Sequence, residues 1–155
     1  MQIEITLNGE SEQQDVRAST TLLEFIREHV GLKGTKDYCH SGVCGACTVL
    51  LDGEAVSSCS VLAAQANGKA VLTVEGLTPP EGLHPIQQAF VDNFGLQCGY
   101  CTPGMVLLTK AMLDENPAPT REEIVRYMGG NICRCTGYAG ILASVEAAAA
   151  AMRES

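Results

Sequence analysis

The chain has 155 residues, enough for one or two small domains with cores of their own. Its formal net charge is −8 and it carries no basic tract, which makes nucleic acid and anionic membrane surfaces poor partners. It has no tryptophan to anchor a recognition surface, and no apolar run long enough to span a bilayer.

The first half alternates as strands do. "QIEITL" and "QQDVRA" flank Asn8 and Gly9, which predicts a β-hairpin. "TTLLEFIREHV" follows, with Leu22, Phe25, Ile26 and Val30 on one helical face. Thr20 or Thr21 is its N-cap, and Gly31 and Gly34 stop it. "TVLLDGEAVSS" reads as a second hairpin turning at Asp52-Gly53, and Ala70 to Gly76 as the last strand. "LTPPEGLH" then breaks the pattern, since Pro79, Pro80 and Gly82 do not suit the interior of a regular element.

Beyond that break the pattern is helical. Pro85 suits the first turn of a helix through "IQQAFVDNF". "PGMVLLTKAMLDEN" is a second helix, ended before Pro117. Thr120 and Glu123 form a capping box for "REEIVRYMG". "AGILASVEAAAAAM" is a fourth helix, rich in the best helix former. The expected architecture is α+β: a strand-rich domain over residues 1–76, a linker over 77–84 and a helical domain over 85–155.

Each half holds four of the eight cysteines. The N-terminus has no basic stretch followed by an apolar one, so a secretory signal is not expected and the cytoplasm is the default compartment. In a reducing compartment this many cysteines point to metal rather than disulfides. Cys39, Cys44 and Cys47 have the C-x4-C-x2-C spacing of plant-type ferredoxins, and Cys59 follows as a fourth thiol. Gly42 and Gly45 lie within that loop and permit positive φ, so N–H groups can turn toward an anionic centre. The second set, Cys98, Cys101, Cys133 and Cys135, combines C-x2-C with C-x-C. A zinc ribbon would repeat C-x2-C, so both iron–sulfur and zinc stay open for this set. Each of its pairs precedes a helix, whose N-terminal partial charge favours an anion.

"GTKDYCHSGVCGACTVLLDG", "QCGYCTPGM" and "NICRCTGY", in this order, resemble the small iron–sulfur subunit of the molybdenum hydroxylases, the xanthine dehydrogenase and aldehyde oxidoreductase family. The resemblance runs from the first strand to the last helix. It implies a ferredoxin-like β-grasp domain followed by a four-helix-bundle domain, with one 2Fe-2S cluster in each. Cys39, Cys44, Cys47 and Cys59 would hold the cluster nearer a flavin (FAD) subunit. Cys98, Cys101, Cys133 and Cys135 would hold the one nearer a molybdenum–pterin cofactor on a large subunit. That large subunit hydroxylates a heteroaromatic ring, an aldehyde or carbon monoxide with oxygen from water. This chain would carry the electrons away and would not bind the substrate. Gln97 would approach the pterin, and Cys135 would lie near its edge while also binding iron. The family usually has glycine before the first cysteine, where this chain has Tyr38.

The histidines carry blander readings. A Rieske centre needs two histidine ligands, and with all eight thiols assigned His40 is expected at the surface. His29 suits a helix C-terminus, and His84, before Pro85, is structural. Arg134 is either a charged neighbour of the cluster or a solvated spacer. The alanines from Ala147 to Ala151 either meet a partner or belong to a frayed end.

Overall fold

The structure, a computed structural model, describes residues 1–154. Among these are strands β1 (Gln2–Leu7), β2 (Glu10–Asp15), β3 (Thr48–Leu51), β4 (Glu54–Ser57) and β5 (Ala70–Leu72), in the sheet order β2-β1-β5-β3-β4. β1 and β5 run parallel, and the other pairings are antiparallel. α1 (Leu22–Glu24) continues as a π-helix over Phe25–Val30 and packs under this sheet. The Thr21 side chain caps α1 by accepting from Glu24 N–H at 3.1 Å, and Gly31 ends the π-helix with φ at 93°.

Side chains alternate across a strand, so β1 sends Ile3, Ile5 and Leu7 inward. They meet Leu22, Phe25, Ile26, Val49 and Val71 in the first core. β3 joins this core to a second one. Its Val49 faces the sheet-side core while its neighbour Leu50 faces the helices.

The second core is built by α3 (Pro85–Asp92), α4 (Thr102–Glu115), α5 (Arg121–Met128) and α6 (Ala139–Arg153). α4 is buried on most sides because it lies between β3 and the helices α3 and α5. α6 packs on α3 and α5. Phe90, Ile86, Met105, Leu107, Ile124, Met128 and Ile141 are the largest fully enclosed side chains of this core. The capping box of α5 is formed as read: the Thr120 hydroxyl accepts from Glu123 N–H, and the Glu123 carboxylate from Thr120 N–H.

The structure corrects four readings of local detail. β2 begins at Glu10, because the tight turn at Asn8-Gly9 (φ 53° and 88°) pairs Leu7 directly with Glu10. The strand expected through Gly76 stops at Leu72. The Asn8 side chain there accepts from Thr73 N–H at 2.8 Å, and Val74–Leu77 turns as a short helix, α2. α3 ends at Asp92, before Phe94, which takes a left-handed φ of 55° and stands exposed. The alanine run lies within α6, with Ala148 and Ala149 buried in the chain's own helical core rather than at a frayed end. No helix of the described residues is long and apolar enough to cross a membrane.

Candidate metal centres

The eight cysteines are free thiols. In the loop before β3 the chain bends through left-handed conformations at His40, Gly42 and Gly45. The bends aim N–H groups at sulfur: Ser41 and Cys44 donate to Cys39 Sγ at 3.5 and 3.4 Å. Those donors hold the Cys39 thiol at about 5, far below the usual thiol range. Cys44 and Cys47 are buried, and burial pushes Cys47 up to about 11, with the Cys59 thiol adding to it against an opposing hydrogen bond from Cys59 N–H. Cys59 is brought beside Cys47 by the β3–β4 pairing. The turn after β4 ties back, with Ser58 N–H and hydroxyl both donating to the Cys47 carbonyl.

The second set is assembled from two loops far apart in the chain. Cys98 and Cys101 lie immediately before α4, and Cys133 and Cys135 lie in the turn before α6. The Sγ atoms of Cys98 and Cys135 are 3.5 Å apart. All four thiols border one cavity of about 380 Å³, together with Tyr38, Tyr100 and Arg134. Burial, with the Cys133 thiol next in effect, pushes Cys101 up to about 12. Burial also pushes Cys133 up, but hydrogen bonds outweigh it, the Thr136 hydroxyl at 3.2 Å first among them, and leave this thiol below the usual range.

The thiols of each set lie close enough to act on one another: Cys98 and Cys135 are in contact, Cys47 feels Cys59, and Cys101 feels both Cys133 and Cys98. Each half thus offers four thiols, the number a two-iron cluster takes. The N–H donors aimed at Cys39 Sγ suit an anionic centre.

The two sets are neighbours. Ile132 N–H donates to the Cys44 carbonyl at 2.8 Å, and Cys44 also borders the second cavity. The Tyr100 hydroxyl donates to the Asp37 carbonyl, and the Tyr38 and Tyr100 rings meet edge to face at 6.2 Å. Tyr38 thus leans over the boundary between the two loops, still 74% exposed.

Gln97 is exposed beside Cys98. His40 is a surface residue, its Nε2 2.8 Å from the Asp37 carboxylate. His29 stacks on Phe25 at the end of the π-helix. His84 is the N-cap of α3, its Nδ1 accepting from Ile86 N–H at 3.2 Å. Arg134 is exposed at the rim of the cavity. Sequence reasoning passed over Asn131, Tyr100 and Tyr138. The Tyr138 hydroxyl accepts from Cys133 N–H at 2.9 Å and donates to the Asn131 carbonyl at 3.0 Å, bracing the second loop. Only the position of these residues beside cysteines hinted at such work.

Two family models match the chain: "2Fe-2S iron-sulfur cluster binding domain" over residues 5–73 and "[2Fe-2S] binding domain" over 73–146. The small FeS subunit of nicotinate dehydrogenase from Eubacterium barkeri is 46% identical over 143 residues, covering 92% of this chain and 91% of that subunit. The chain belongs to the small iron–sulfur subunit family of the molybdenum hydroxylases. Among solved structures, quinoline 2-oxidoreductase from Pseudomonas putida 86 superposes with a TM-score of 0.95 at 46% identity, over 99% of this chain and 96% of that one. Aldehyde oxidoreductase from Desulfovibrio gigas superposes with a TM-score of 0.94 at 40% identity, again over 99% of this chain but only 17% of that one. What is a separate small subunit in the first relative is thus one segment of a much longer chain in the last.

Proposed function

We propose that this chain is the electron-carrying subunit of a molybdenum hydroxylase, holding one 2Fe-2S cluster in each half. Cys39, Cys44, Cys47 and Cys59 hold one, and Cys98, Cys101, Cys133 and Cys135 the other. The observation that carries this reading is the gathering of four cysteines in each half, the helical set drawn from two distant loops around one cavity. The halves are read as a β-grasp ferredoxin-like domain over residues 1–76 and a four-helix bundle over 85–155, joined by 77–84.

Each cluster, when bound, takes up and releases one electron at a time. The chain's own part is to hold and screen those charges. The N–H groups of Ser41 and Cys44 stabilise negative charge at Cys39. The Thr136 hydroxyl does the same at Cys133. Electrons enter from a large molybdenum–pterin subunit at the helical set, where exposed Gln97, Cys98 and Cys135 form the docking face. Gln97 presents an amide that both donates and accepts toward the pterin. They leave from the sheet-side set to a medium FAD subunit or another acceptor. The complex is placed in the cytoplasm. Organic substrate is bound by the large subunit, and this chain offers no group to activate water or take hydride.

The test is iron analysis and EPR on the native complex. About four iron atoms per chain and two distinguishable signals on reduction are expected, with a molybdenum subunit co-eluting. Stoichiometric zinc without iron overturns the cluster reading. Gln97→Ala is expected to slow reduction of the clusters by substrate while iron content stays unchanged. Wild-type reduction kinetics remove the role given to that amide.

A further inference from the structure

We infer that Asn131 is the positioning residue that sets how the two cysteine sets face each other. The inference rests on the two-cluster reading above and adds to it a single buried side chain that belongs to neither set.

Asn131 is only 2% exposed. It lies two residues before Cys133, yet its amide is inserted into the loop that carries Cys44 and Cys47. The Thr48 hydroxyl, next to Cys47, is 3.2 Å from Asn131 Oδ1 and 2.7 Å from the Gly45 carbonyl. Gly45, next to Cys44, has a φ of +69°, and a Cβ there would lie 1.7 Å from Asn131 Oδ1. Gly104, three residues after Cys101, closes the other side. A Cβ there would be 3.0 Å from Asn131 Nδ2 and 2.5 Å from the Gly45 carbonyl.

Ligand-bearing segments from both halves therefore close on one amide. Two of them are stripped to glycine where they touch it or each other, which leaves no flexible side chain to absorb a change. The backbone continues the same clamp. Ile132 N–H donates to the Cys44 carbonyl at 2.8 Å, and the Asn131 carbonyl accepts from the Tyr138 hydroxyl that also braces Cys133. Shortening this side chain frees both loops at once, and the separation and relative orientation of the two centres change together.

The experiment uses the full chain with both clusters loaded. Two paramagnetic centres split each other's EPR lines by an amount that depends steeply on separation and orientation. Asn131→Ala is expected to alter that splitting beyond the scatter among wild-type preparations, with iron still at about four atoms per chain. Thr48→Val, which removes only the hydroxyl, is expected to alter it in the same sense by less. Ile124→Val, a buried core change on α5 that removes one methyl and no contact to Asn131 Oδ1, is expected to leave it unchanged. Unaltered splitting in Asn131→Ala at full iron content overturns the inference. If that variant does not load, unaltered splitting in Thr48→Val overturns it. An equal change in Ile124→Val also overturns it, because the splitting would then follow general loosening. A wild-type chain with fewer than two signals removes the two-cluster reading first, which keeps the two failures apart.

Discussion

The two cysteine sets solve the same problem by opposite means. Three thiols of the sheet-side set lie within nine residues, on a loop that folds around its own N–H donors, and the fourth arrives through the neighbouring β3–β4 hairpin. The helical set is drawn from two loops more than thirty residues apart and exists only because α4 and α6 are packed into one core. One seat is made by local backbone geometry, the other by tertiary packing. A local seat should survive strain elsewhere, while a packed one should fail with its core.

The sharpest way to break that contrast is to remove one thiol from each set. Cys47→Ser is expected to abolish or severely weaken the sheet-side EPR signal while the helical signal stays. Cys133→Ser should do the reverse. Binding of metal and folding are linked in small metal domains, so each variant should also loosen its own half. Simultaneous loss of both signals from a folded chain would erase the distinction between the seats.

Core truncations test the same contrast without touching a thiol. Phe90, 1% exposed in the helical core, and Phe25, fully buried under the sheet, are comparable in size and burial. Either change to alanine is expected to destabilise its region by about 3–5 kcal/mol. The consequences for the clusters should differ. Phe90→Ala is expected to speed loss of the helical cluster to a chelator, because α3 supports α6 and hence the approach to Cys133 and Cys135. Phe25→Ala should affect the sheet-side cluster much less than Phe90→Ala affects the helical one. Equal rates of cluster loss in the two variants would mean that neither seat is more local than the other.

The same division decides how much could be read from the chain beforehand. The hairpin turns at Asn8-Gly9 and Asp52-Gly53, the capping box at Thr120 and Glu123, and the helix after Pro85 are short-range signals, and each appears where its residues put it. The misreadings came where a distant group intervened. Thr73 to Gly76 has residues that suit a strand, but the Asn8 side chain takes Thr73 N–H and the chain turns into α2. Phe94 belongs to an apolar helical face by its spacing, yet it is turned out to solvent beyond the end of α3. Gly95 behind it has no room for a Cβ, which would lie 2.4 Å from the Ser144 hydroxyl. The alanine run looked unpartnered because its partner, α3, is fifty residues earlier. Asn131 carried no local signal at all, since its neighbours on the sheet side are more than eighty residues away.

The smallest expected effect concerns the entrance to the helical half and depends on pH. His84 caps α3 by accepting from Ile86 N–H through Nδ1, which only a neutral imidazole can do. Burial, and then the charge of Lys110, lower its pKa from the ordinary 6.5, against a weaker opposing pull from Asp114. The unfolded chain therefore binds the proton more readily than the folded one. The cap's contribution is fully present above about pH 6.5 and is lost as pH falls through the lowered folded value. Asparagine is a strong N-cap that does not titrate. Thermal melts of the wild type and His84→Asn should therefore diverge as the solution is acidified, with the wild type losing more. The sheet-side cluster signal should follow the same course in both proteins, because α3 packs on α6 and α4 of the helical half. Parallel melting curves across that range would show that the imidazole's charge state does not matter to the fold. Divergence accompanied by early loss of the sheet-side signal would show instead that the two seats melt as one unit.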